Sequence, residues 1–417
     1  MEIWHIRGGN RLNGTCQVQG SKNASLPILA ASILAPMRCE LHHIPELRDV
    51  DAALRILRHL GCRVIQEKQS VYIDSTGLSG CYIPNRLMEE MRSSVIFMGA
   101  LLARCGEANL SLPGGCHLGK RPIDLHLMAL RQMGAEIEEN GRELHCTASG
   151  LHGADIRLPF PSVGATENAM LAACAAKGET RIYGAAREPE IKSLQDFLSA
   201  AGVEIHGAGS DTICIIGRHK EKDVVQRIIP DRIVASTIAC ALAASGGDIE
   251  LRGIDPGHFS TVLHFLNEAG CDIIKSNYAL RIRSDAKLRG IGPVITEPYP
   301  GFPTDAQPVL MAAVLKAEGR TKIRETIFEN RFRQVPELRR LGAKIVCSGQ
   351  TAEIFGVPSL HGASLTATDL RGGASMIVAG LAAEGETVIC DDGHITRGYE
   401  RFDNCLRALG ADVYLEY

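Results

Sequence analysis

Leu60-Gly-Cys-Arg-Val64, Met133-Gly-Ala-Glu-Ile137, Ala201-Gly-Val-Glu-Ile205, Ala269-Gly-Cys-Asp-Ile273, Leu341-Gly-Ala-Lys-Ile345 and Leu409-Gly-Ala-Asp-Val413 are six versions of one phrase. An amphipathic helical pattern precedes each copy, as at 49–60 and 122–133. The glycine reads as the cap that ends that helix, and the β-branched residue after it as the start of a strand. The glycines stand at 61, 134, 202, 270, 342 and 410, so the steps are 73, 68, 68, 72 and 68 residues. A period near 70, repeated six times, marks a chain built from copies of one supersecondary unit.

A second phrase interleaves with the first. Alanine-rich helical runs end in a Gly-Glu-Thr-like turn and a short strand at 172–182, 239–251, 312–323 and 381–389, with weaker copies at 29–41 and 101–110. Each unit therefore reads helix, strand, loop, helix, strand, with a further strand from the segment that follows. The expected class is α/β, in two similar domains of three units each. The alanine-rich helices are apolar on most faces and should be buried, with sheets outside them. Turn residues break the pattern at Gly20-Ser-Lys-Asn23 and Ile229-Pro-Asp-Arg232, the two places where the chain could cross between domains.

Composition bounds the class. At 417 residues, 45% hydrophobic and with a formal net charge of −3, the chain can bury large cores and offers nothing to attract nucleic acid or an anionic membrane. The start, Met1-Glu-Ile-Trp-His, lacks the apolar run of a signal peptide, and no stretch is long enough to span a bilayer. The 14 cysteines are scattered, with no Cys-x-x-Cys pair, which argues against zinc and a disulfide framework. A reducing, cytoplasmic setting with mostly structural thiols is the expectation.

The chemistry concentrates in Leu112-Pro-Gly-Gly-Cys-His-Leu-Gly-Lys-Arg-Pro-Ile-Asp124. Three glycines and two prolines forbid a regular element, so Cys116 should ride on a loop beside Lys120 and Arg121, with Pro122 at the first position of a helix and Asp124 in its first turn. A thiol next to cations on such a loop can lower its pKa and meet a ligand. Gly114-x-x-x-x-Gly119-Lys120 also resembles a nucleotide-triphosphate loop, but its last position is Arg121 rather than a metal-binding hydroxyl, which excludes that reading.

Seven further segments carry polar groups at turns and helix starts. Lys22 and Asn23 lie in a turn before an apolar helix, a place to hold an anion. Arg92 heads another apolar helix. Pro161-Ser-Val-Gly-Ala-Thr-Glu-Asn168 opens a helix with a polar turn. Thr296-Glu-Pro-Tyr-Pro-Gly-Phe-Pro-Thr-Asp305 is a proline-locked loop that delivers a carboxylate, either a general base or the N-cap of the next helix. Arg331, Arg371 and Arg397 stand near helix starts, and arginine grips phosphate and carboxylate bidentately.

Taken in order, these motifs resemble the UDP-N-acetylglucosamine 1-carboxyvinyltransferase family of enolpyruvyl transferases. The likeness runs nearly end to end: Gly20-Ser-Lys-Asn-Ala, Leu112-Pro-Gly-Gly-Cys, Arg121-Pro-Ile-Asp, Ser162-Val-Gly-Ala-Thr-Glu-Asn, Ile229-Pro-Asp-Arg, Pro298-Tyr-Pro-Gly-Phe-Pro-Thr-Asp, Glu329-Asn-Arg-Phe, Thr368-Asp-Leu-Arg and Arg397-Gly-Tyr-Glu. The resemblance implies two inside-out α/β domains of three βαβαββ-like units each, one at 22–229 and one made from 1–21 and 230–417, with the active site in the cleft between them. It implies enolpyruvyl transfer from phosphoenolpyruvate to the 3′-hydroxyl of UDP-N-acetylglucosamine with release of phosphate, the first committed step of peptidoglycan precursor synthesis. No cofactor, metal, nucleic acid or membrane is implied.

Residue by residue, the resemblance makes Cys116 the acid at the vinyl carbon, the site of a covalent phospho-lactoyl adduct and the target of fosfomycin. Asp305 takes the hydroxyl proton. Lys22, Arg121 and Arg397 clamp phosphate and carboxylate. Asn23 and Arg92 orient substrates, Arg331 is a substrate-binding residue, and Asp369 and Arg371 support the closed site. The nucleotide sugar contacts Arg121, Pro122, Ile123, Asp124, Leu125, Ser162, Val163, Gly164, Asp305 and Ile327. Phe160-Pro161, Thr396 and Asn404-Cys405 depart from the family pattern without touching the acid, base or clamp. The sister activity on shikimate 3-phosphate would show serine after the first lysine and no loop cysteine, so Asn23 and Cys116 point away from it. An inactive UDP-sugar-binding paralogue is disfavoured by the intact Lys22, Cys116, Asp305 and Arg397.

Overall fold

The computed structural model describes residues 1–111, 123–217 and 222–417. All six glycines of the repeated phrase adopt left-handed backbone, with φ between +92° and +116°. Side chains with a Cβ are strained there, so glycine ends each helix and turns the chain into the next strand. The helices they close are Arg48–His59, Asp124–Gln132, Pro189–Ala200, Ser260–Ala269, Val335–Arg340 and Phe402–Ala408. The strands they open are Arg63–Glu67, Glu136–Asn140, Glu204–His206, Asp272–Ser276, Lys344–Ser348 and Asp412–Glu416. The helix expected from Pro122 begins at Asp124, with Ile123 as its N-cap residue.

The alanine-rich helices are buried almost throughout. Leu370–Ala382 is buried over 371–382 and Arg232–Ser245 over 232–244. Such helices have no solvent face to present, so the amphipathic helices and sheets must cover them. Together with Gln307–Ala313 these two helices pack against one another at the centre of their unit. In the other unit Phe97–Cys105 packs on Val163–Ala173.

Among the described residues, six four-stranded sheets share one plan: a parallel pair, then two antiparallel neighbours. In one of them Tyr82–Ile83 runs parallel to Glu107–Ser111, which pairs with Glu143–Thr147, itself paired with Glu136–Asn140. The chain divides into two compact units, one gathering Met1–Gln19 with Pro230–Tyr417, the other running from Gly20 to Ile229. Each has its own apolar core. The second unit closes on itself, because Val224–Arg227, just before Ile229, supplies the parallel strand for Arg38–His42 in its first sheet. The other unit closes through the N-terminal strands. Leu12–Gln17 lies parallel to Gly247–Arg252, and Glu2–Arg7 sits between Glu386–Asp391 and Asp412–Glu416. No helix among the described residues is long and apolar enough to cross a membrane.

Candidate active site

Asp305 is where three of the sequence-chosen residues meet. Arg331 Nη2 donates to Asp305 Oδ1 at 2.6 Å and Arg371 Nη2 to Oδ2 at 3.2 Å. The Asp305 side chain is 30% exposed, whereas those of Arg331 and Arg371 are 1% and 5% exposed. Two guanidinium groups held out of water against one half-open carboxylate fix its direction, since a buried charge is tolerable only when paired. Asp305 is not a helix cap: the Gln307–Ala313 helix has Ala306 at that position, with no side-chain cap bond. Arg331 is held further by the Thr304 carbonyl, which accepts from Nε at 3.2 Å and from Nη2 at 3.1 Å.

Arg371 is the second residue of the Leu370–Ala382 helix, whose N-cap is Asp369; its carboxylate accepts the N–H of Arg371 at 3.1 Å and of Gly372 at 3.0 Å. Arg371 Nη1 reaches the Tyr399 hydroxyl at 3.3 Å, and that hydroxyl lies 2.9 Å from Thr237 Oγ1. Burial favours loss of the Arg371 proton, but Asp305, Tyr399 and Asp231 outweigh it and raise its pKa above the ordinary arginine value.

Arg397 lies two residues before Tyr399, on the single turn Ile395–Arg397. That turn is tied on both sides. The Asp391 carboxylate accepts from the N–H groups of His394 and Ile395, each at 2.9 Å. Beyond it, Gln19 Nε2 donates to the Gly398 carbonyl at 3.2 Å and Gln19 Oε1 accepts from Glu400 N at 2.8 Å. Thr396, one of the departures from the family pattern, donates its hydroxyl to both Glu2 oxygens at 3.1 Å. The buried Glu2 gives a reason for a hydroxyl at that position: an acid there would face a like charge.

The remaining described candidates, Ile327 apart, belong to the other unit. Lys22 and Asn23 are the first two residues of the Lys22–Ala31 helix, not of a preceding turn, with Ser21 as the N-cap that accepts from Ala24 N. Lys22 Nζ donates to Asp49 Oδ2 at 3.2 Å. Its charge is thus held by a buried carboxylate in the first turn of the Arg48–His59 helix. Ser162 caps Val163–Ala173 through a bond from Ala165 N, as its position before Val163-Gly164 suggested. That turn and the Asp124–Gln132 helix are joined by His126. A Cβ on Gly164 would lie 2.8 Å from His126 Cε1, so the ring leaves no room for any side chain. Asn168 Nδ2 donates to His126 Nδ1 at 2.7 Å and to the Val95 carbonyl at 3.1 Å, while Asn168 Oδ1 accepts from Gly99 N at 2.8 Å. Burial holds the His126 pKa down at about 4, against a small opposing pull from Asp124.

Cys116, Arg121 and Pro122 lie outside the described residues, and Arg92 is described only as the start of the short helix Arg92–Ile96. Ile327, by contrast, is held by its N–H, which donates to Glu325 Oε1 at 2.8 Å. Glu325, Gln19, Tyr399 and His126 were not singled out in the sequence. Glu325 carried a visible signal: the strand Arg320–Arg324 alternates exposed and buried, which puts an acid at the next inward position.

A family model described as EPSP synthase (3-phosphoshikimate 1-carboxyvinyltransferase) matches residues 6–406. Relatives of near-equal length include UDP-N-acetylglucosamine 1-carboxyvinyltransferase 2 of Caldanaerobacter subterraneus, 45% identical over 99% of both chains. The UDP-N-acetylglucosamine 1-carboxyvinyltransferase of Brucella ovis is 46% identical, again over 99% of both. Among solved structures, the enolpyruvyl transferase NikO from Streptomyces tendae superposes with a TM-score of 0.88 at 26% identity, covering 99% of this chain and 98% of its own. An EPSP synthase from Acinetobacter baumannii, at 22% identity and a TM-score of 0.79 over the full length of both chains, shares the fold. With relatives at such identity over almost every residue, the chain belongs to the UDP-N-acetylglucosamine 1-carboxyvinyltransferase family of enolpyruvyl transferases.

Proposed function

We propose that this chain transfers the enolpyruvyl group of phosphoenolpyruvate to the 3′-hydroxyl of UDP-N-acetylglucosamine and releases phosphate, the first committed step of peptidoglycan precursor synthesis. The observation that carries the reading is the near-complete, 45% identical match to relatives bearing that name. The geometry supports it at Asp305, a half-open carboxylate aimed by two buried arginines.

The reaction runs by addition and elimination. The 3′-oxygen forms a bond to C2 of phosphoenolpyruvate while C3 gains a proton, which Cys116 delivers as the acid. Asp305 accepts the proton of the attacking hydroxyl. Phosphate then leaves C2 with the C–O bonding pair, C3 gives up a proton, and the enolpyruvyl ether remains. Lys22, Arg121 and Arg397 hold the phosphate and carboxylate of phosphoenolpyruvate and stabilise the charge that develops there. Arg331, Asp369 and Arg371 keep Asp305 in place, while Asn23 and Arg92 orient the substrates. The nucleotide sugar rests on Arg121 to Leu125, Ser162 to Gly164 and Ile327. Addition of the Cys116 S–H across the double bond, sulfur to C2 and proton to C3, gives the phospho-lactoyl adduct. A cytoplasmic setting goes with this reading, supported by free, mostly buried thiols.

A coupled phosphate-release assay tests the proposal. Phosphate should appear with phosphoenolpyruvate and UDP-N-acetylglucosamine, and Cys116→Ala should lose most turnover and resist alkylation by fosfomycin. Release with shikimate 3-phosphate alone would give the sister activity instead.

A further inference from the structure

Glu325 stands one residue beyond the strand Arg320–Arg324 and is 1% exposed. A carboxylate this deeply buried must have its oxygens filled by donors. Four reach it. Oε1 accepts from Thr296 Oγ1 at 2.9 Å, from Ile327 N at 2.8 Å and from Phe328 N at 3.1 Å. Oε2 accepts from Thr304 Oγ1 at 3.0 Å. The Thr296 hydroxyl, its proton committed to Glu325, accepts in turn from Thr326 N at 2.8 Å.

These partners sit at three strategic places. Thr296 opens the proline-rich loop and Thr304 ends it, immediately before Asp305. Ile327 and Phe328 form the turn that leads on to Arg331, and the Arg331 side chain lies over the Phe328 ring at 5.6 Å. Thr304 is tied twice: its hydroxyl goes to Glu325, and its carbonyl takes two bonds from Arg331. One carboxylate therefore pins both ends of the loop that delivers Asp305 and the turn that delivers its arginine partner.

We infer that Glu325 is a positioning residue for enolpyruvyl transfer, setting the place of Asp305 through Thr304 and that of the Ile327 backbone directly. The inference rests on Asp305 being the proton acceptor of the proposed reaction. A staple of purely structural value would lower stability and leave the chemistry of the folded enzyme alone. A positioning residue lowers kcat, because misplacing an acceptor by a fraction of an ångström costs rate in the step it serves.

The test is phosphate-release kinetics on the full-length enzyme as wild type, Glu325→Gln, Thr304→Val and the double variant. Glu325→Gln replaces one accepting oxygen by an amide nitrogen, which donates and cannot accept. Thr304→Val removes one hydroxyl at constant volume and leaves the carbonyl for Arg331. Each single change should lower kcat about ten- to hundredfold. KM for phosphoenolpyruvate should stay within about twofold, since neither substitution touches the residues assigned to clamp it. The double variant should lose no more than the worse single one, the mark of two groups acting through one contact. Should Glu325→Gln fail to fold, Thr304→Val alone decides. An active wild type with an unaltered kcat in folded Thr304→Val overturns this inference by itself, as do losses that multiply in the double variant. A wild type that releases no phosphate with UDP-N-acetylglucosamine overturns the activity reading and the inference with it.

Discussion

Asp305 and His126 are both polar groups placed by burial, and they invite opposite experiments. Asp305→Asn keeps the shape but takes the negative charge from between two arginines that are nearly out of water. Turnover should fall by about 10²–10⁴, the usual worth of a positioned proton acceptor. KM for the nucleotide sugar should move far less, and normal turnover with a large loss of affinity would contradict the assignment. Burial holds the folded His126 down at about 4, against an ordinary value of 6.5. Between those values the unfolded chain binds more protons than the folded one, so this residue's contribution makes stability fall as pH drops from 6.5 to 4 and adds nothing above 6.5. The full difference is about 3 kcal/mol. Comparing the urea midpoints of wild type and His126→Gln across that range isolates it, and parallel pH curves would sink the claim. The thiols show the same physics without a function: burial pushes Cys39 and Cys174 up to about 12, which fits the structural role expected of most cysteines here.

At the scale of the element, the repeated glycine decided what could be read in advance. Its conformation is forced locally, so the six helix ends and six strand starts were legible from the phrase alone. The capping by Ser162 was legible for the same reason, and so was the buried character of the alanine-rich helices. The partners of Asp305 were only half legible. Arg331 and Arg371 stood out as arginines, but nothing in the order of residues links Thr304 to Glu325 or Gly398 to Gln19, because those bonds depend on tertiary packing. Local reasoning also left Asp305 open as a helix cap, which the structure replaces with ion pairs. The glycine account makes a graded prediction. At Gly342 a new Cβ meets nothing closer than His361 Cδ2 at 4.0 Å, so Gly342→Ala should cost only the left-handed strain of about 1–2 kcal/mol. At Gly61 it would lie 2.8 Å from the Gly77 carbonyl oxygen, so Gly61→Ala should cost distinctly more. Equal losses in chemical denaturation would show that the backbone angle alone matters.

At the scale of the whole chain, the two units are topologically unequal although their repeats are alike. Residues 20–229 are continuous, and their first sheet is completed by Val224–Arg227 from the same stretch. Residues 230–417 lack two strands of their own sheets. Removing Glu2–Arg7 would part Glu386–Asp391 from Asp412–Glu416, and removing Leu12–Gln17 would strip the edge of Gly247–Arg252. Trp4, Ile6 and Leu12 in these strands and Val18 just after them, all at most 1% exposed, belong to the same N-terminal stretch. Burying four such side chains contributes roughly 6–12 kcal/mol, as much as the entire stability of a typical domain. A fragment of residues 20–229 should therefore unfold cooperatively by itself, whereas 230–417 should lack a cooperative transition until a peptide of residues 1–19 is added. A folded 230–417 fragment that ignores the peptide would mean the N-terminal strands are accessories, and the order in which the chain passes through its six sheets would then carry no energetic weight.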